Sequence, residues 1–479
     1  MESSTVANPV IEEPKNSNGN GNAEIQKVEE SAPEKTSGVE HVYKGQTGAD
    51  RKDHFIKNSR NNKRNNDQSE NKRKRVREES NRDPGTRNEE RKPKKNVILL
   101  FSYCGTGYQG MQVNPNAKTI EGDLFSSIVK AGGVSEDNST DQKKVQLQRA
   151  ARTDKGVHAA GQVVSLKMII EDPEIVTKIN SFLPDQIRVW GYKRVIRSFN
   201  PKTLCDSRIY EYLLPTYVFM PPDEETIELI SKYSFEKRQS LYMKSNENLQ
   251  DEDNDEPASS EAPKKEKYVE TANSRRSSYR ISKELLEQIR TGFGMYVGTH
   301  NFLNFTVTKG TNGKNSSRHI KSFTVSDPMI IGDGEWLSLK VHGQSFMLHQ
   351  IRKMVGLIIL LTRSKTPFSI IDKIYKCNRI NIPKAPGFGL LLEKPVYESY
   401  NDKVKKMPAN NPGESRELIV FDEYEKKIEE FKKKFIYDQI FKDELENGHF
   451  SQWAEMCDVF PEQYPYLNPE GEIPESAFI

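Results

Sequence analysis

The 479-residue chain is long enough for two or three domains, but only 34% of it is hydrophobic against 29% charged, so part of its length cannot enter a core. Its formal net charge of +3 averages unlike segments: acids dominate the start of the chain and basic residues dominate from Arg51 to Lys95, a pattern that points to a nucleic-acid partner. Cys104, Cys205, Cys377 and Cys457 form no CxxC pair, and no apolar run reaches about 18 residues, which argues against a disulfide scaffold, a compact zinc knuckle and a membrane-spanning helix. With no signal-type apolar segment, and with Glu2, Glu12 and Glu13 where a transit peptide would avoid acids, a soluble intracellular protein without a membrane partner is expected.

Residues 1–95 contain almost no aliphatic clusters and are expected to be a disordered basic tail. Within it Lys72, Arg73, Lys74, Arg75 and Arg77 form the densest basic run of the chain, which reads as a signal for the nuclear import machinery or as an RNA-contacting tail. Order begins at Asn96. Val97 to Tyr103 predicts a strand, and the glycines that follow (Gly105, Gly107, Gly110) lack the Lys-Ser/Thr of a phosphate loop, so they are read as positions of close backbone approach. Thr119 caps a helix carrying Ile120, Leu124 and Ile128; Val145 and Leu147 alternate as a strand.

The stretch RTDKGVHA, Arg152 to Ala159, reads as a turn in which Gly156 takes a positive φ. A strand through Val164, Leu166 and Met168, a short helix around Ile175 and Ile179, and a strand through Ile187, Val189 and Gly191 complete a ferredoxin-like order, common in RNA-binding lobes. A second lobe follows, spanning 201–400. Its first strand, RIYEYLL, puts Tyr210 and Tyr212 on one face; a low-complexity insertion covers 236–280; Ser282 caps a further helix. Strands around Phe323 and through Leu337, Leu339 and Val341 lead to an apolar helix from about Leu348 to Leu361. Arg352 and Lys353 stand near its start, where the helix dipole disfavours a cation and an anionic partner is therefore implied. Residues 401–479 predict a helical extension, with Glu414 to Glu446 as one long charged helix. Its stripe of Phe421, Tyr424, Ile428, Phe431 and Phe435 should dock on the body, and Lys432, Lys433 and Lys434 are solvated or meet RNA.

Six segments in this order, FSYCGTGYQGMQ, RTDKGVHAAGQVV, SRIYEYLL, GTHNFLNF, SFMLHQIRKMVG and APGFGLLL, make the chain from Asn96 to about Tyr400 similar to the TruA family of tRNA pseudouridine synthases, most of all its eukaryotic, nuclear, multisite branch. It departs from the bacterial pattern at Cys104, where that pattern has an acid, and in the insertion after Phe235. The resemblance implies an α/β protein of two ferredoxin-like lobes whose antiparallel sheets meet at a basic catalytic cleft. It implies an isomerase converting uridine to pseudouridine at several tRNA positions, in the anticodon stem and loop, with small nuclear RNA and mRNA as further partners and the nucleus as its location.

By the same resemblance Asp154 is the catalytic aspartate, either a nucleophile or the base that removes a ribose proton. Arg152 fills the space of the flipped uridine, Tyr210 packs on the uracil and Arg352 pairs with Asp154. From their places beside these motifs, Lys155, Arg149, Lys353 and Arg318 are expected to track phosphates along a basic cleft, and His158 and His349 to pack or to contact RNA. No cofactor is required for the chemistry, and a structural zinc built from distant Cys and His residues is the one metal left open. The rival reading is a non-catalytic nuclear RNA-binding protein on the same fold.

Overall fold

The computed structural model describes residues 92–240, 275–307, 316–407 and 416–479. The basic run at 72–77 and the centre of the expected insertion lie outside the described residues. The strands are β1 (Lys94–Tyr103), β2 (Gln148–Arg149), β3 (His158–Ile169), β4 (Ile187–Arg194), β5 (Ser207–Pro215), β6 (Gly298–Asn301), β7 (Ser317–Val325), β8 (Met329–Ile331), β9 (Gly334–Gly343) and β10 (Leu390–Val396). Together they form one ten-stranded sheet. In its first part the spatial order is β4-β1-β3-β2, in the second β10-β5-β9-β7, so each part repeats the antiparallel ferredoxin-like arrangement. The two parts fuse edge to edge where β10 runs parallel to β3 through Leu391 opposite His158 and Leu392 opposite Ala159.

Both central strands of the first part are buried along nearly their whole length, which explains the continuous apolar run VILLFSY, whereas β3, read from sequence as alternating, buries its polar His158, Gln162 and Ser165 as well. Helices Ile120–Lys130 and Ile175–Phe182 turn Leu124, Ile128, Ile175 and Ile179 inward. The C-terminal extension also packs on the sheet. Phe421 lies close over Gly161 of β3, and the Phe431 ring meets Trp190 of β4 edge-on at 5.8 Å, so the aromatic stripe docks as its spacing predicts.

Local capping follows the sequence. Thr119 accepts from Gly122 N and Ser282 from Leu285 N, each satisfying an otherwise orphaned helix N–H. Two local expectations fail. The strand read at Val145 and Leu147 is instead a 3₁₀ turn, Gln142–Val145, ended by Gln146 at φ +57°, because both apolar side chains reach the core from a turn. The long helix expected from Glu414 begins only at Asp422, as a 3₁₀ turn, and is interrupted by a π turn at Lys432–Tyr437, which the charge pattern does not encode.

Candidate active site

The loop between β2 and β3 carries RTDKGVHA as a turn. The Asp154 carbonyl accepts from Val157 N at 3.2 Å, with Gly156 at φ +74°, the positive value that the second corner of a type II turn demands. Lys155 is exposed at the other corner. The turn is gripped from below. Thr153 Oγ1 lies 2.8 Å from the buried Tyr103 Oη, Gln162 Nε2 donates to the Ala151 carbonyl at 3.2 Å, and Met111 N donates to the Thr153 carbonyl at 3.2 Å. A Cβ on Gly105 would fall 2.2 Å from the Val157 carbonyl oxygen, and one on Gly110 2.9 Å from that of Thr153. The glycine loop after β1 is therefore a close-approach surface that supports the turn, as its lack of phosphate-loop residues suggests.

Asp154 faces a cleft of about 540 Å³ lined also by Arg149, Arg152, Lys202, Arg208, Tyr210, Phe346, Met347, Leu348, His349 and Arg352. Asp154 is the single carboxylate residue among its lining residues. Tyr210 enters from β5, almost fully buried, with its ring edge-on to Phe346 at 5.2 Å. Burial, with smaller contributions from Cys205 and Asp154 against that of Arg208, pushes its phenol up to about 12. Arg208 Nη2 donates to the Ala150 carbonyl at 2.8 Å, tying β5 to the Asp154 loop.

The far wall is the start of helix Gln350–Arg363. The expected Arg352–Asp154 pair is replaced there by another: among the described residues, the cation-forming group within ion-pair reach of Asp154 is His349, whose Nδ1 lies 3.0 Å from Asp154 Oδ2. Arg352 lines the same cleft, but its Nε donates to the Ala385 carbonyl at 2.7 Å and its guanidinium lies against Gly387. The APGFG loop thus takes the hydrogen bond that charge alone would have assigned to the aspartate.

Several expected RNA-contacting residues are placed elsewhere. His158 is fully buried at the seam: Gly105 N donates to its Nδ1 at 3.0 Å, so Nε2 carries the proton and donates to the Phe388 carbonyl at 3.0 Å. Burial lowers its pKa to about 4, against the raising effect of the Phe388 bond, and it is a neutral rivet rather than an RNA ligand. Lys353 is buried too, donating to the Asn304 carbonyl at 3.3 Å. Burial first, then Arg379 and Lys384, lowers it to about 8. Arg149 does line the cleft, yet its Nε and Nη2 are 2.8 and 2.7 Å from Glu121 Oε1, so its charge is already matched. Arg318 lies on β7 outside the cleft lining. Lys432, placed by sequence with solvent or RNA, is buried against Glu211 and Glu393.

The sequence suggests packing or RNA contact for His349, not a place beside Asp154, and does not single out Phe346, Arg208 or Lys202. A usable signal existed for the first: a histidine directly before an apolar helix, where Ser, Thr, Asp or Asn ordinarily caps. The four cysteines are free, and among the described residues no three His, Cys, Asp or Glu side chains gather as metal ligands would.

Residues 293–398 match a family model described as tRNA pseudouridine synthase, a segment that contains His349 and Arg352. Over 471 residues the chain is 41% identical to tRNA pseudouridine synthase 1 of Schizosaccharomyces pombe, covering 80% of this chain and 87% of that one. It is 46% identical over 411 residues to tRNA pseudouridine synthase 1 of Yarrowia lipolytica, covering 79% and 76%. To the Pseudouridylate synthase 1 homolog of Mus musculus it is 37% identical over 364 residues, covering 75% and 73%.

Proposed function

The chain belongs to the tRNA pseudouridine synthase family, and from that premise we propose how its cleft converts uridine to pseudouridine in tRNA. The observation that carries the reading is the convergence of Asp154, Tyr210 and Arg352, from segments far apart in sequence, on one basic cleft. The isomerisation breaks the C1′–N1 bond, turns the uracil in place and forms a C1′–C5 bond, while one proton leaves C5 and one is gained at N1. All atoms balance within the substrate, so the step consumes no donor, oxidant or water.

Asp154 acts on the flipped nucleotide, as nucleophile or as the base that takes a ribose proton. Tyr210, held protonated in the neutral range by its burial, packs on the uracil as a neutral phenol. Arg152 is exposed at the mouth of the turn and takes the space the uridine leaves, offsetting part of an unstacking cost of a few kcal/mol. Arg352, anchored through Nε on Ala385, lines the cleft as a fixed cation. Lys202 and Arg208 supply phosphate contacts, which favour salt-dependent binding without base readout and suit several target sites, those of the anticodon stem and loop first. Small nuclear RNA and mRNA fit the same backbone-reading surface, and the 72–77 basic run fits delivery to the nucleus by the import machinery.

The test is to incubate the purified chain with tRNA transcripts in buffer without added cofactor and to map pseudouridine at nucleotide resolution. Product at anticodon-arm uridines, absent with Asp154→Ala, is expected. A full yield from Asp154→Ala would remove Asp154 from the reaction.

A further inference from the structure

His349 has an uncommon backbone. At φ +62° and ψ +8° it sits in the left-handed region, which only a few per cent of non-glycine residues adopt, and it stands immediately before helix Gln350–Arg363. The neighbouring chain is pinned on both sides. Thr306 Oγ1 donates to the Leu348 carbonyl at 3.1 Å, Met347 N donates to Gln350 Oε1 at 2.8 Å, and Lys353 N donates to the His349 carbonyl at 3.0 Å. An uncommon conformation so thoroughly held is a reason to look for what it aims.

What it aims is the imidazole. Nδ1 is buried, lies 3.0 Å from Asp154 Oδ2, and has no other partner among the described residues. The two atoms are within hydrogen-bond distance but poorly aligned, the geometry expected of a catalytic pair that tightens only around substrate. Burial first, then Lys384 and Arg352, lower the pKa of the ring, against the raising effect of Asp154, so the imidazole is neutral with one N–H. A carboxylate oxygen opposite Nδ1 places that N–H on Nδ1.

We propose that His349 is a positioning residue for the isomerisation: its Nδ1–H, aimed by the left-handed turn before the helix, holds Asp154 by Oδ2 and leaves Oδ1 for the flipped uridine. The proposal rests on the reading of Asp154 as the catalytic carboxylate. The orientation of that carboxylate then depends on a side chain carried by the second lobe.

Three substitutions in the full chain separate this role from a packing role. His349→Gly keeps the left-handed backbone and removes the ring. His349→Asn also tolerates that backbone and returns an amide N–H where Nδ1 stands, whereas His349→Gln carries its amide one bond further out. With tRNA transcript as substrate, His349→Gly is expected to lower kcat about 100-fold while KM for tRNA changes less than about twofold. His349→Asn should recover at least about tenfold of that loss, and His349→Gln should not. Unchanged kcat in His349→Gly, a loss confined to KM, or equal rates for the Asn and Gln variants would overturn the proposal. If the Gly variant melts early, the Asn and Gln pair still decides it, since both retain a side chain at the site. Asp154→Ala run in parallel tells the two failures apart: activity retained there sinks the reading of Asp154, whereas an inactive Asp154→Ala beside a fully active His349→Gly sinks only the role of His349.

Discussion

Adjacent residues of β5 serve two charged clusters that are built on opposite terms. Tyr210 joins Asp154, Arg152, His349 and Arg352 in an open cleft, where the carboxylate is partly exposed and its one close partner is poorly aligned. Glu211, whose side chain alternation sends the other way, meets Lys432 at 3.1 Å, Tyr437 Oη at 2.8 Å from both of its oxygens, and Ser338 Oγ. Lys432 also reaches Glu393 and Glu429 at 3.1 Å. Burial works to raise Glu211, but Lys432, then Ser338 and Tyr437, outweigh it and hold the carboxyl below its usual range. For Glu393 burial prevails over Lys432 and raises it. The buried cluster saturates its charges because an unpaired buried ion is costly; the cleft leaves its charges in want of partners because a substrate must supply them. A charge cluster is therefore judged by what it leaves unsatisfied.

Substitutions should break the two clusters in different currencies. The largest effect is expected at Asp154→Ala: a loss of about 1,000-fold or more in pseudouridine formation, with tRNA affinity and melting temperature nearly unchanged, measured by single-turnover assay, filter binding and calorimetry. Lys432→Met should do the reverse. It leaves Glu211 buried without its counter-charge, costing about 3 kcal/mol of stability in denaturant titrations while the folded fraction keeps its kcat, and adding Glu211→Gln should return part of that loss. If Lys432→Met cut kcat without lowering stability, the division between the two clusters would be wrong.

Arg352→Ala sharpens the comparison, since its anchoring to Ala385 makes it a fixed part of the cleft wall. A rate loss of about 100-fold with unchanged folding is expected, and an equal loss in Arg352→Lys would show that the bond to Ala385 matters as much as the charge. The effect smallest near neutral pH concerns His158 at the seam. Its folded pKa of about 4 lies below that of the unfolded chain near 6.5, so between these values the unfolded state holds the extra proton. Stability present above pH 6.5 should drain as the pH falls toward 4, by at most about 1.4 kcal/mol for each pH unit. His158→Gln should flatten that slope in melting curves taken across the window; a slope identical to that of the unsubstituted chain would mean that other groups set it.

By itself the sequence determined what depends on near neighbours. The turn at Asp154 is written in Lys155-Gly156, since glycine accepts the positive φ that its second corner needs. Thr119 and Ser282 cap as their side chains dictate, and the 3.6-residue stripe on the extension finds the sheet. The ordered motifs also identify the residues that converge on the cleft, though not how they pair. Partner choice was decided by the tertiary structure alone. Three cations or cation-forming groups near the motifs, His158, Lys353 and Arg352, are turned to carbonyls rather than to an anion, and His349 takes the aspartate. Lys432, one of three consecutive lysines, opens the π turn and is buried against Glu211 and Glu393. The physical reason is range. Periodicity, caps and turns are settled within about one turn of chain, whereas an ion pair depends on sheet register and loop approach that bring together residues far apart in the sequence, and no local pattern of charge records which carbonyl or carboxylate will arrive first.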